Sequence, residues 1–132
     1  MTQTKMISDF SIVLMTRHLH EQASFYQNTL GLALIFDNQD TIGLGRDKRL
    51  FVILRKDTAE DSHHLAEQKG PVIMTFKCQG DIDDTIKKIK DDGYKVRDTL
   101  KLLEHNAHYL FIEDYDGNEI CLDFPCASGK DA

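Results

Sequence analysis

The chain is 132 residues long, 41% hydrophobic and 29% charged, enough for one globular domain with a soluble surface and too short for two ordinary ones. Its formal net charge of −6 argues against a nucleic-acid backbone or an anionic membrane as main partner. No apolar run nears the roughly 20 residues of a membrane span and no basic-then-apolar leader opens the sequence.

Phe10 to Met15 (FSIVLM) reads as a strand, with Phe10, Ile12 and Leu14 on one face and Ser11, Val13 and Met15 on the other. Leu19, Ala23, Tyr26 and Leu30 recur at helical spacing, and Gly31 follows as a stop. Strand segments come next at 34–36, 41–44 and 50–54, broken by Asp37-Asn38-Gln39-Asp40 and Gly45-Arg46-Asp47-Lys48. Residues 56 to 70 are polar and read as a connection, with or without a helical turn.

The pattern then starts over. Val72, Met74, Phe76 and Cys78 share one face of a strand, which leaves Ile73, Thr75 and Lys77 on the other. Ile82, Ile86 and Ile89 sit at helical spacing, with Asp81 as N-cap and Gly93 as stop. Strands follow at Tyr94 to Val96 (with an extension open to Leu103), His108 to Ile112 and Glu119 to Phe124. Asp116-Gly117-Asn118 turns the last two into a hairpin, since Gly accepts positive φ and Asp and Asn bond local backbone. In the last strand Ile120 and Leu122 alternate with Cys121 and Asp123, giving a greasy face and a face with a thiol and a carboxylate. Each half thus reads strand, helix, strand, strand, strand, a repeat of about 60 residues. The prediction is an α+β fold of one domain: module one at about residues 7–55, a connection at 56–70, and module two at about 71–125.

A duplicated βαβββ unit of this length resembles the vicinal oxygen chelate superfamily, which includes glyoxalases, bleomycin and fosfomycin resistance proteins and extradiol dioxygenases. Ala23 to Leu32 (ASFYQNTLGL) is similar to that family's first helix, with its aromatic pair and leucine-glycine-leucine ending. Asp114-Tyr115-Asp116-Gly117-Asn118 is similar to its last hairpin turn, with Tyr115 where proline is usual. The resemblance covers roughly Ile7 to Pro125 and is closest to small dioxygenase-like or glyoxalase-like members. It implies a curled mixed sheet in each half, the halves forming a cup, and a homodimer in which half-cups can be completed across subunits.

In metal-dependent relatives three inward ligands hold a divalent ion. Carried over, the first falls on Ser11, fourteen residues before Phe25; the second falls on Ile73 and the third, usually Glu, on Cys121. Iron, manganese, nickel and zinc sites use imidazole, carboxylate or thiolate donors, usually three or more. Ser11 is a poor neutral ligand, Ile73 has no donor, and Cys121 with Asp123 makes two at most. No metal is therefore expected, a divalent ion held by other residues being the alternative.

The histidines do not rescue a metal site. His18 and His20 flank the first helix and suit surface or capping roles, because side chains two apart there diverge. His63 and His64 are adjacent in the polar connection, and His105 and His108 face opposite sides of an extended chain. His108 alone is a cup-lining candidate, together with Ser11, Val13, Met15, Ile73, Thr75, Lys77, Cys121 and Asp123. Cys121 and Asp123 also read as a small filler and an aspartate bonding a neighbouring amide. A nucleophilic Cys121 would need a cation nearby, which only His108 on the adjacent strand could supply. Lys77 suits an anionic group of a ligand or a snorkelling rim position. Arg46, Lys48 and Arg49 read as a solvated hairpin tip, and Phe51, Ile53 and Phe111 as core or cavity wall. Three cysteines (Cys78, Cys121, Cys126) without C-x-x-C spacing read as reduced thiols of a cytoplasmic protein.

Three functions remain open. The first is a metal-free protein binding a small organic molecule in the cup. The second is a metal-dependent enzyme, a ring-cleaving dioxygenase or glyoxalase-type lyase, in which the ion polarises vicinal oxygens. The third is a regulatory module that has lost its ligand.

Overall fold

A computed structural model of the chain describes residues 6, 7, 9–57 and 73–126. Most of the polar connection, with His63, His64 and Val72, lies outside the described residues. The chain divides into two compact units, Met1–Asp61 and Ser62–Ala132.

In the first unit β1 (Ile12–Thr16) leads into α1 (Leu19–Ser24), which continues as one π-helical turn, Phe25–Thr29. β2 (Ala33–Asn38), β3 (Thr41–Arg46) and β4 (Arg49–Lys56) follow. The sheet order is β1-β4-β3-β2. Tight turns make β2, β3 and β4 antiparallel, whereas α1 carries the chain over so that β1 lies parallel to β4. Register sets Ile12 beside Val52 and Leu44, and Leu14 beside Leu54 and Ile42, forming one apolar face on which α1 packs. The rings of Phe25 and Tyr26 are fully buried and meet edge to face with centroids 5.0 Å apart. Each such side chain contributes about 1.5–3 kcal/mol by leaving water. The helix ends as its sequence predicts, with Gly31 at φ 82° and the Leu32 N–H donating to Tyr26 O at 2.9 Å. His18 sits at the helix start without a side-chain cap bond; its N–H donates to Thr16 Oγ1 at 3.0 Å.

The basic tip between β3 and β4 is exposed: Arg46 reaches Gly31 O at 3.3 Å and Arg49 pairs with Asp9 at 3.2 Å. Asp47 and Lys48 both take positive φ, 54° and 67°, the backbone of a two-residue hairpin turn that favours Gly at its second position. Lys48→Gly is expected to raise unfolding stability by about 1 kcal/mol, the left-handed cost of an L side chain; urea denaturation checks it.

The second unit repeats the order: β5 (Met74–Lys77), α2 (Ile82–Asp91), β6 (Val96–Leu102), a 3₁₀ turn (Leu103–His105), β7 (Ala107–Glu113) and β8 (Glu119–Pro125). Its sheet runs β5-β8-β7-β6, with β5 parallel to β8. Met74, Ile120, Ile112 and Val96 form one cross-strand row and Phe76, Leu122 and Leu110 the next, all on an apolar face. Ile89 of α2 is completely buried. Asp81 caps α2, its carboxylate accepting from the Asp84 N–H at 3.1 Å, and Gly93 ends it at φ 90°. Each unit is therefore a βαβββ module with a four-stranded mixed sheet. Among the described residues no helix is long and apolar enough to cross a membrane.

Candidate functional site

The side chains that could meet a ligand lie on the second sheet's other face, where alternation puts residues that the apolar face excludes. Register aligns Thr75, Cys121, Phe111 and Asp98 in one row and Lys77, Asp123, Tyr109 and Leu100 in the next. A third row holds Glu119 and Glu113. Four of the expected candidates, Thr75, Lys77, Cys121 and Asp123, are thus brought together. Cys121 sits at the centre and is only 5% exposed. Tyr109 and Phe111 are half-buried with ring centroids 6.4 Å apart.

His108 does not join them. Phe111 shares a row with Cys121, so His108, three residues earlier, falls on the apolar side between Phe124 and Lys101. Ile73 lies one residue before β5 and is exposed. Ser11 precedes β1 and is also exposed. Val13, 53% exposed, and Met15 lie on the first sheet, opposite its apolar rows. Val13 aligns there with Ile53, Gly43 and Phe36, and the Phe36 ring covers Gly43 so closely that an added Cβ would meet Cε2 at 2.3 Å.

Tyr109 and Glu113 are not among the residues expected from the sequence, although alternation from Phe111 assigns both to the face of Cys121. Arg97 is hidden from alternation, because a bulge between Val96 and Asp98 interrupts the period. Its guanidinium bonds Glu113 and lies 3.9 Å from Glu119, tying the edge strand across β7 to β8.

Both thiols on this sheet are held protonated. Burial pushes Cys78 up to about 11 against a lowering hydrogen bond with the Asp123 backbone, and the Asp123 carboxylate adds a smaller rise. Cys121 is raised by burial first and then by the Asp123 carboxylate, against a lowering hydrogen bond from Thr75. With His108 on the opposite face, nothing here makes a thiolate nucleophile. The folded chain binds the Cys78 proton more tightly than the unfolded chain, so its stabilisation is complete below pH 9 and drains away as pH climbs toward 11. The unfolding midpoint should fall less between pH 8 and pH 10.5 in Cys78→Ala than in the parent; an equal fall in both would refute the shift.

The three positions where the resemblance places metal ligands carry a hydroxyl, a hydrocarbon and a protonated thiol, a donor set that does not fit a divalent ion. Among the described residues no three His, Cys, Asp or Glu side chains gather to hold one.

The sequence matches the family model described as Glyoxalase/Bleomycin resistance protein/Dioxygenase superfamily over residues 10–122. No curated protein matches it. Among solved structures, the fosfomycin resistance protein FosX from Listeria monocytogenes superimposes with a TM-score of 0.72 at 15% identity, covering 93% of this chain and 98% of that one. Lactoylglutathione lyase from Agrobacterium tumefaciens gives 0.66 at 12% identity, covering 89% and 94%. An integron cassette protein from V. cholerae gives 0.67 at 18%, covering 92% and 98%. At such identities the likeness speaks for the fold, and the family match over most of the chain speaks for descent. The chain belongs to the glyoxalase/bleomycin resistance protein/dioxygenase superfamily.

Proposed function

We propose that this chain binds a small organic molecule against the mixed face of its second sheet and does so without a resident metal ion. The observation that carries the reading is the centre of that face, where Cys121 stands with its thiol protonated beside Thr75 and two half-buried aromatic rings. Such a surface offers apolar contact plus a few polar anchors, Thr75, Lys77 and Asp123, which is how small-molecule sites gain area and orientation. The chain acts in the cytoplasm, in keeping with free thiols at Cys78, Cys121 and Cys126. It also pairs as a homodimer, supported by the exposed apolar residues Met6, Ile7, Phe10 and Val13 at and before edge strand β1.

Native mass spectrometry of protein purified without added ligand, repeated after loading with iron, manganese, nickel or zinc, tests the reading. A co-purified organic molecule, or organic binding unchanged by metal, is the expected result. A stoichiometric ion that survives dialysis and is required for binding would overturn it in favour of a dioxygenase or glyoxalase-type lyase.

A further inference from the structure

The geometry points to a guest that is a cation with a flat apolar body, seated with its charge toward the β8 carboxylates and its body on Phe111 and Tyr109. This deepens the proposed function and rests on it. Down the mixed face β8 presents Glu119, Cys121 and Asp123, a carboxylate, a thiol and a carboxylate at intervals of about 6–7 Å. Beside that column β7 presents Glu113, Phe111 and Tyr109. Carboxylates at Asp98, Glu113, Glu119 and Asp123 outnumber the cations Lys77 and Arg97 there. Arg97 is engaged mainly by Glu113, leaving Glu119 with one long contact at 3.9 Å. Asp123 has no ion-pair or side-chain hydrogen-bond partner among the described residues.

The Cys121 thiol reports the resulting potential. At Cys121, in the middle of this face, burial raises the thiol first and the Asp123 carboxylate adds to the rise, with no cation acting in the other direction. A negative potential beside two half-buried aromatic rings attracts a cation twice, through the carboxylates and through the rings. An anionic guest would lose on both counts. A neutral aromatic would keep only the ring contact.

Calorimetric titration with a naphthyl amidine, the corresponding amide and the corresponding carboxylate varies charge at nearly constant shape. The amidine should bind roughly tenfold tighter than the carboxylate at low salt, with the gap closing as salt screens the face. Asp123→Asn should shrink that preference several-fold, weakening the amidine much more than the amide, and Phe111→Leu should weaken all three. Equal or tighter carboxylate binding, or a preference that Asp123→Asn does not touch, overturns the cationic guest. If the amide still binds and Phe111→Leu weakens it, the small-molecule reading survives that loss. Absence of binding by all three probes, or binding indifferent to Phe111→Leu, sinks both.

Discussion

Gly45→Ala is expected to cost about 4 kcal/mol or more, or to leave no soluble folded protein. A Cβ built on Gly45 would lie 1.7 Å from the Arg49 carbonyl oxygen and 2.8 Å from its carbon. Both are backbone atoms of the neighbouring strand, so no rotamer change relieves the clash. The β3–β4 ladder would have to open where it is already irregular, between Leu44 and Gly45. That loss is a large share of the 5–15 kcal/mol that typically holds a domain together, hence the expectation of insolubility. Gly31→Ala is the control. Gly31 has φ +82° and nothing within 4 Å of an added Cβ, so only the conformational cost of about 1 kcal/mol applies. Gly43→Ala should fall between them, because the colliding group is the Phe36 ring, a side chain that can turn away. Urea denaturation of the three variants checks the order. Equal losses at Gly45 and Gly31 would mean the strands do not approach as closely as described.

What could be read from the sequence divides along the regular stretches. β1, β5 and β8 keep a strict period of two, so Val13, Met15, Thr75, Lys77, Cys121 and Asp123 were assigned to faces that the registers uphold. Caps with one physical job were equally readable: Asp81 accepts an orphan N–H, and Gly31 and Gly93 adopt left-handed φ. Three bulges break the period, leaving Ile35, Phe51 and Arg97 out of register. Each depends on backbone hydrogen bonding that composition does not announce. The π-helical turn at Phe25–Thr29 was hidden for the same reason, since its apolar spacing still looks helical. His108 failed differently. Its strand was placed correctly, but its face had to be counted from Phe111, and an odd separation puts the two on opposite sides.

The sharpest case of a motif read correctly and its cause misplaced is the last hairpin, and it yields the second large expected effect. The sequence assigns the turn to Asp116-Gly117-Asn118, and Gly117 does take φ 90°. The organising group is Asp114, 4% exposed. One of its carboxylate oxygens accepts from the Asp116 N–H at 3.0 Å and the Asn118 N–H at 2.8 Å, and the other accepts from Asn118 Nδ2 at 2.8 Å. Backbone bonds between Asp114 and Asn118 and between Gly117 and Asp114, both 3.0 Å, close the loop. Asp114→Ala removes an ionised acceptor from three donors at once, and part-buried donors left unpaired cost about 1–3 kcal/mol each before relaxation or water recovers some of it. A net loss of about 3 kcal/mol is expected, with fast hydrogen exchange at the Asp116 and Asn118 amides. Asp114→Asn should cost less, since one oxygen remains, yet its amide would face the Asn118 amide donor to donor. Adding Asn118→Asp reverses the polarity of that contact, so the double variant should regain stability that the single loses. A double variant no more stable than Asp114→Asn would show the contact between the two side chains to be incidental. Recovery would place the anchor of β8, and with it the positions of Glu119, Cys121 and Asp123, in the loop that precedes them.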